Sequence, residues 1–156
     1  MYRFIWKMQR LCVDSLTEWR LSAKFLDAIQ CYYEKYALKQ FQVAAQLAEF
    51  RVNGQRRRRI VVQHKDVQVM TAIQNNKGIS KQVRLRNCMK SEMRRLCRVA
   101  GAHGMTSRAM THMQMRLQRH LGVVLNATTL AAGAQGDSNM LTEYDLQEGI
   151  RMLDLT

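Results

Sequence analysis

Apolar residues recur at helical spacing in two successive sets, each with the order short, long, short, and this duplication leaves few architectures open. In the first set, Phe4, Met8, Leu11 and Cys12 share one stripe and predict a short helix over residues 4–16. After the polar Thr17-Glu18 pair, a long run over residues 23–50 carries Phe25, Ile29, Tyr32, Tyr36, Phe41, Ala44 and Leu47 on its apolar face. At 1.5 Å per residue that helix would extend roughly 40 Å. Asn53-Gly54 and four consecutive arginines then mark a solvated loop, and Ile60-Val61-Val62 is short and β-branched. Val67, Met70 and Ile73 return to helical spacing over residues 64–74.

The plan restarts after Asn75-Asn76-Lys77-Gly78. Met89, Met93, Leu96, Cys97 and Ala100 predict a short helix over 89–100, and Gly101 and Gly104 a turn. Thr106 or Ser107 is placed to cap a second long helix running to about residue 132, with Met110, Met113, Leu117, Leu121, Val124 and Leu125 in phase. A glycine-containing loop over 133–138 follows. Thr142, with Asp145 three residues on, approaches a capping box ahead of Leu146, Ile150 and Leu153. Three segments result: residues 1–76, a basic linker over 77–88, and residues 89–156.

With no proline in 156 residues and 47% hydrophobic residues, the fold class expected is all-α with an ordinary core. No apolar stretch approaches the roughly 20 residues of a membrane span, and the start mixes basic with apolar residues unlike a signal peptide. A soluble, non-secreted protein without a membrane partner is expected. Cys12, Cys31, Cys88 and Cys97 form no CxxC pair and read as reduced, mostly buried thiols. His64, His103, His112 and His120 lie far from them in sequence, so no metal site and no cofactor is expected. His112 and His120, eight apart, could share a helix face as ordinary polar residues. The eleven methionines mostly continue apolar stripes and fit core packing. No nucleotide-binding glycine loop, HExxH or Ser-His-Asp order is present, and enzymatic activity is not expected.

The formal charge of +13 points to a polyanionic partner. It is unevenly placed: residues 77–119 hold eleven basic residues and one acid, Glu92, whereas 120–156 hold one basic residue and five acids.

Glu34 and Tyr36, then Arg58-Arg59-Ile60 and Lys65-Asp66-Val67-Gln68, resemble core histone three over residues 4–74. Met93-Arg94-Arg95-Leu96-Cys97-Arg98 and Leu141-Thr142-Glu143-Tyr144-Asp145 are similar to core histone four over residues 84–153. The chain thus resembles a fused core-histone doublet, of the kind found mainly in large DNA viruses, with related doublets in some archaea. The resemblance implies two histone-fold units paired within one chain as a pseudo-heterodimer. It implies duplex DNA as a partner, bound with little sequence preference. Other core histones or a second doublet would complete a nucleosome-like particle, in the nucleus or in a viral factory or virion.

Arg20 falls where the family places a minor-groove arginine, and the second loop of one unit lies beside the first loop of the other at the DNA surface. The DNA-contacting residues implied are Arg20, Arg56, Arg57, Arg58, Arg59 and Lys65, with Lys81, Arg84, Arg86, Lys90, Arg94, Arg95 and Arg98 as a phosphate track. Arg59 and Asp66 resemble the family's Arg-Asp clamp. Leu47, Phe50, Asp66 and Val69 fall where two dimers of the family join in a tetramer-like assembly, Phe50 replacing a histidine.

Three departures stand out. About six extra residues lie near 52–57, Gly104 or Met105 replaces a minor-groove arginine, and the loop over 133–140 lacks the family's Lys and Arg. Tail-based modification and signalling of the family are not expected to carry over. An alternative reading is a histone-fold scaffold subunit of a transcription-factor-type complex with weak DNA binding. The absent loop arginines favour it, and the first-half arginines and net charge oppose it.

Overall fold

A computed structural model of the chain describes residues 19–52, 59–74, 90–136 and 139–154. The short helix expected over 4–16 and the linker over 77–88 lie outside them. Among the described residues five helices and four two-residue strands follow one another: β1 (Arg20–Leu21), α1 (Ala23–Arg51), β2 (Val61–Val62), α2 (His64–Ile73), α3 (Lys90–Val99), β3 (Gly104–Met105), α4 (Ser107–Gln135), β4 (Met140–Leu141) and α5 (Glu143–Asp154). The chain forms two compact units, Met1–Glu34 with Leu117–Thr156, and Lys35–Arg116. Each unit combines segments from both sequence halves.

In the first unit β1 and β4 pair in parallel, Arg20 opposite Met140 and Leu21 opposite Leu141. The Arg20 amide donates to the Asn139 carbonyl at 2.6 Å and the Ser22 amide to that of Leu141 at 3.2 Å. Each strand runs one residue later into a helix. Ser22 caps α1 by accepting the Phe25 amide on its hydroxyl at 3.1 Å. Thr142 and Asp145 form the reciprocal box at α5: the carboxylate accepts the Thr142 amide at 2.7 Å and the hydroxyl accepts the Asp145 amide at 3.4 Å. Phe25, Ile29, Tyr33, Leu117, Leu121, Val124, Leu141 and Leu146 fill the core. The helix α4 continues three residues past its expected end at Ala132, stopping where Gly136 turns left-handed (φ 79°). Gly133 lies within the helix; glycine is a weak helix breaker and the chain supplies no proline there.

In the second unit β2 and β3 pair in parallel, Val61 opposite Gly104 and Val62 opposite Met105. The His103 amide donates to Ile60 at 2.8 Å and that of Thr106 to Val62 at 3.0 Å. Thr106 is the α4 cap, its hydroxyl accepting the Ala109 amide at 3.3 Å. At α2 the carboxylate of Asp66 accepts the Gln63 amide at 2.8 Å. Buried here are Ala37, Phe41, Ala44, Ala48, Val62, Val67, Met70, Met93, Leu96, Met110 and Met113. The long helices α1 and α4 contribute one part to each unit.

Candidate nucleic-acid interface

Each bridge has one geometric consequence. Parallel strands leave it in the same direction, so two capped helix N-termini emerge together: α1 with α5 in the first unit, α4 with α2 in the second. A helix N-terminus carries about half a positive charge and free amides, which suits phosphate oxygens. The cations beside the two bridges differ in number. Arg20 and Lys24 are exposed beside β1 and the start of α1. At the second bridge Arg59 and Lys65 flank β2, and Arg108 stands in the first turn of α4, all exposed. On α3, which packs against β3, Arg94 and Arg98 are exposed. Arg95 is also exposed and pairs with Glu92 at 3.0 Å. That contact, open to water on both sides, leaves the guanidinium free to exchange partners. Arg56, Arg57, Arg58, Lys81, Arg84 and Arg86 lie outside the described residues, as does the side chain of Lys90, on the first residue of α3.

The clamp on Asp66 comes from a different arginine than the resemblance implies. The Asp66 carboxylate is buried, and Arg51, the last residue of α1, grips both its oxygens, Nε to Oδ1 at 2.9 Å and Nη2 to Oδ2 at 3.2 Å. Its Nη2 also donates to the Val61 carbonyl at 3.1 Å, tying α1, β2 and α2 together. Arg59, expected in that role, is exposed ahead of β2 and stays available to a ligand. The signal for Arg51 was its place in the last helical turn, where the dipole favours a cation. Asp66 therefore turns inward, away from the apolar surface it was grouped with. Phe50 is 83% exposed and Val69 47%, Leu47 is half-buried, and Ile73, expected on the apolar stripe with the buried Val67 and Met70, is 65% exposed.

One buried cation escaped sequence reasoning. Arg116 of α4 is held by amides and a phenol: its Nε donates to Gln40 Oε1 at 3.0 Å, its Nη2 to Gln74 Oε1, and the Tyr36 side chain hydrogen-bonds it. Burial pulls its pKa down and pushes that of Tyr36 up, each opposed by the other's presence. His112 and His120 part company, His112 lying against His64 and His120 accepting or donating a 2.9 Å hydrogen bond with the Tyr32 hydroxyl. Cys97 is buried, and burial raises its thiol pKa, whereas Cys31 is exposed, unlike the buried thiol expected. Among the described residues no three His, Cys, Asp or Glu side chains gather as a metal site, and no helix is long and apolar enough to cross a membrane.

No protein-family model matches the chain, and no curated protein matches it. Among solved structures, the histone from Methanopyrus kandleri superposes with a TM-score of 0.73 over 96% of this chain and 92% of that one, at 15% sequence identity. The chain has the histone fold.

Proposed function

We propose that the protein is a DNA-packaging histone doublet, a histone three-like unit followed by a histone four-like unit, paired within one chain. It wraps duplex DNA with little sequence preference as part of a nucleosome-like particle. The observation that carries this reading is the second bridge: two helix N-termini emerge together, ringed by exposed Arg59, Lys65 and Arg108, in a fold shared along nearly its full length with a histone. Such a surface neutralises phosphates without reading bases. Pairing within the chain is supported by the bridges, since each joins a strand of one sequence half to a strand of the other. A second doublet or other core histones would complete the particle. The exposed Phe50, Val69 and Ile73 offer an apolar surface for self-association. Chromatin, in a nucleus or a viral factory, is the compartment such a role requires.

The test is nuclease digestion of arbitrary-sequence duplex reconstituted with the protein, with and without other core histones. Discrete protected fragments are expected, with affinity falling about 10³ to 10⁵-fold between 50 and 200 mM salt if six to ten phosphates are contacted. Absence of protection together with a shallow salt dependence would instead favour the scaffold reading.

A further inference from the structure

We propose that His64 and His112 form an acid-sensitive latch in the second unit, holding α2 against α4 at neutral pH and loosening the β2–β3 bridge as the pH falls. The two rings face each other with centroids 5.1 Å apart and planes tilted by 41°. His64 is the first residue of α2, two residues beyond β2, and His112 lies in the second turn of α4, which starts two residues beyond β3. The ring contact therefore closes the same two segments that the bridge joins.

An imidazolium needs acceptors for both ring N–H groups and suffers near other cations. This site provides neither relief. The Nδ1 of His112 is buried with no hydrogen-bond partner among the described residues. One turn along α4 stands the guanidinium of Arg116, and one turn the other way Arg108. From α2 the ring meets that of His64. From α1, Tyr36 and Gln40 approach through Arg116 and supply no negative charge. The nearest carboxylate on α2, Asp66, is occupied by Arg51 and the Gln63 amide.

Burial first, then His64 and Arg116, hold the His112 pKa below its ordinary 6.5. The unfolded or opened chain, where the ring meets water, thus binds a proton that the closed form resists. Stability from the closed latch is complete above about pH 6.5 and is lost as the pH falls below it.

The experiment is amide hydrogen exchange on the full chain without DNA, at pH 7.5 and 5.5, normalised for intrinsic exchange. The reporters are the His103 and Thr106 amides, which donate across the bridge. Their protection should drop several-fold at pH 5.5, and the drop should shrink in His112→Gln. Should His112→Gln fail to fold, His64→Gln serves, because removing that neighbour should raise the His112 midpoint in an NMR titration. Protection independent of pH, an equal drop in His112→Gln, or a His112 midpoint unmoved by His64→Gln would each overturn the latch. DNA takes no part in any of these measurements, so the outcome is independent of the packaging reading.

Discussion

The two units repeat one design with opposite surfaces. Each has a parallel two-residue bridge, two capped helices leaving it together, and a buried aspartate at the third residue of the shorter one, Asp66 in α2 and Asp145 in α5. Residues 35–116 nevertheless carry 18 Lys and Arg against 3 Asp and Glu, a net +15, whereas the other unit's residues carry 7 against 9, a net −2. The difference separates what makes the fold from what makes the ligand surface. Caps, apolar spacing and bridge hydrogen bonds are common to both units. Charge varies freely on top of them because exposed side chains contribute little to folding.

The largest expected effect follows from that asymmetry. Replacing Arg59, Lys65, Arg94, Arg98 and Arg108 together by glutamine should lower the slope of log affinity against log salt by about five, and Arg20 with Lys24 by about two. Filter binding over a salt series measures both. Equal losses from the two sets would break the comparison, since affinity would then not follow the exposed charge.

Next in size is the clamp, found among the described residues in one unit only. Arg51→Ala strands the Asp66 carboxylate, whose side chain is 4% exposed, with the Gln63 amide as its remaining partner. A cost of about 3 kcal/mol is expected in chemical denaturation. Arg59→Ala in the same assay should cost under about 0.5 kcal/mol, as an exposed residue away from the clamp.

Packing of the short helices differs in the opposite sense. Four residues after the buried aspartate, α2 places Met70, fully buried, whereas α5 places Gly149. A methyl group at Gly149 would stand 2.7 Å from the Thr128 nitrogen and 2.8 Å from its Cα, so α5 approaches the α4 backbone too closely for any side chain. Gly149→Ala should destabilise by about 1–3 kcal/mol through overpacking, despite alanine's better helix propensity. A stabilised variant would show that α5 can shift away at little cost.

Much of this was legible in the sequence where the cause is local. The long helices begin where expected, Thr106 is a cap, and the Thr142-x-x-Asp145 spacing is a box, because each depends on contacts within four residues. The adjoining loops came from the histone resemblance rather than from periodicity: a two-residue strand such as Arg20–Leu21 has no pattern of its own and exists through a partner 120 residues away. Contacts set by packing stayed hidden for the same reason. Arg51 displaced Arg59 at Asp66 because α1 delivers its last residue beside α2. Arg116 depends on how α4 meets α1 and the end of α2, and the His64–His112 pair on how α2 meets α4, 48 residues apart in the ring contact.

The smallest effect sharpens the contrast between the two aspartates. Where Asp66 has a guanidinium, Asp145 has the Thr142 hydroxyl, which donates to Oδ2 at 2.7 Å. Thr142→Val keeps the β-branched shape and removes only that hydroxyl. The carboxylate still accepts the Thr142 amide and no counter-charge is removed, so the loss is one side-chain hydrogen bond and half of a cap. About 1 kcal/mol is expected. Denaturation curves of Thr142→Val and Arg51→Ala, read side by side, should therefore differ by roughly 2 kcal/mol. If Thr142→Val proved as costly as Arg51→Ala, the hydroxyl would be holding Asp145 as firmly as a guanidinium holds Asp66, and the units would differ in surface charge but not in how they anchor their buried acid.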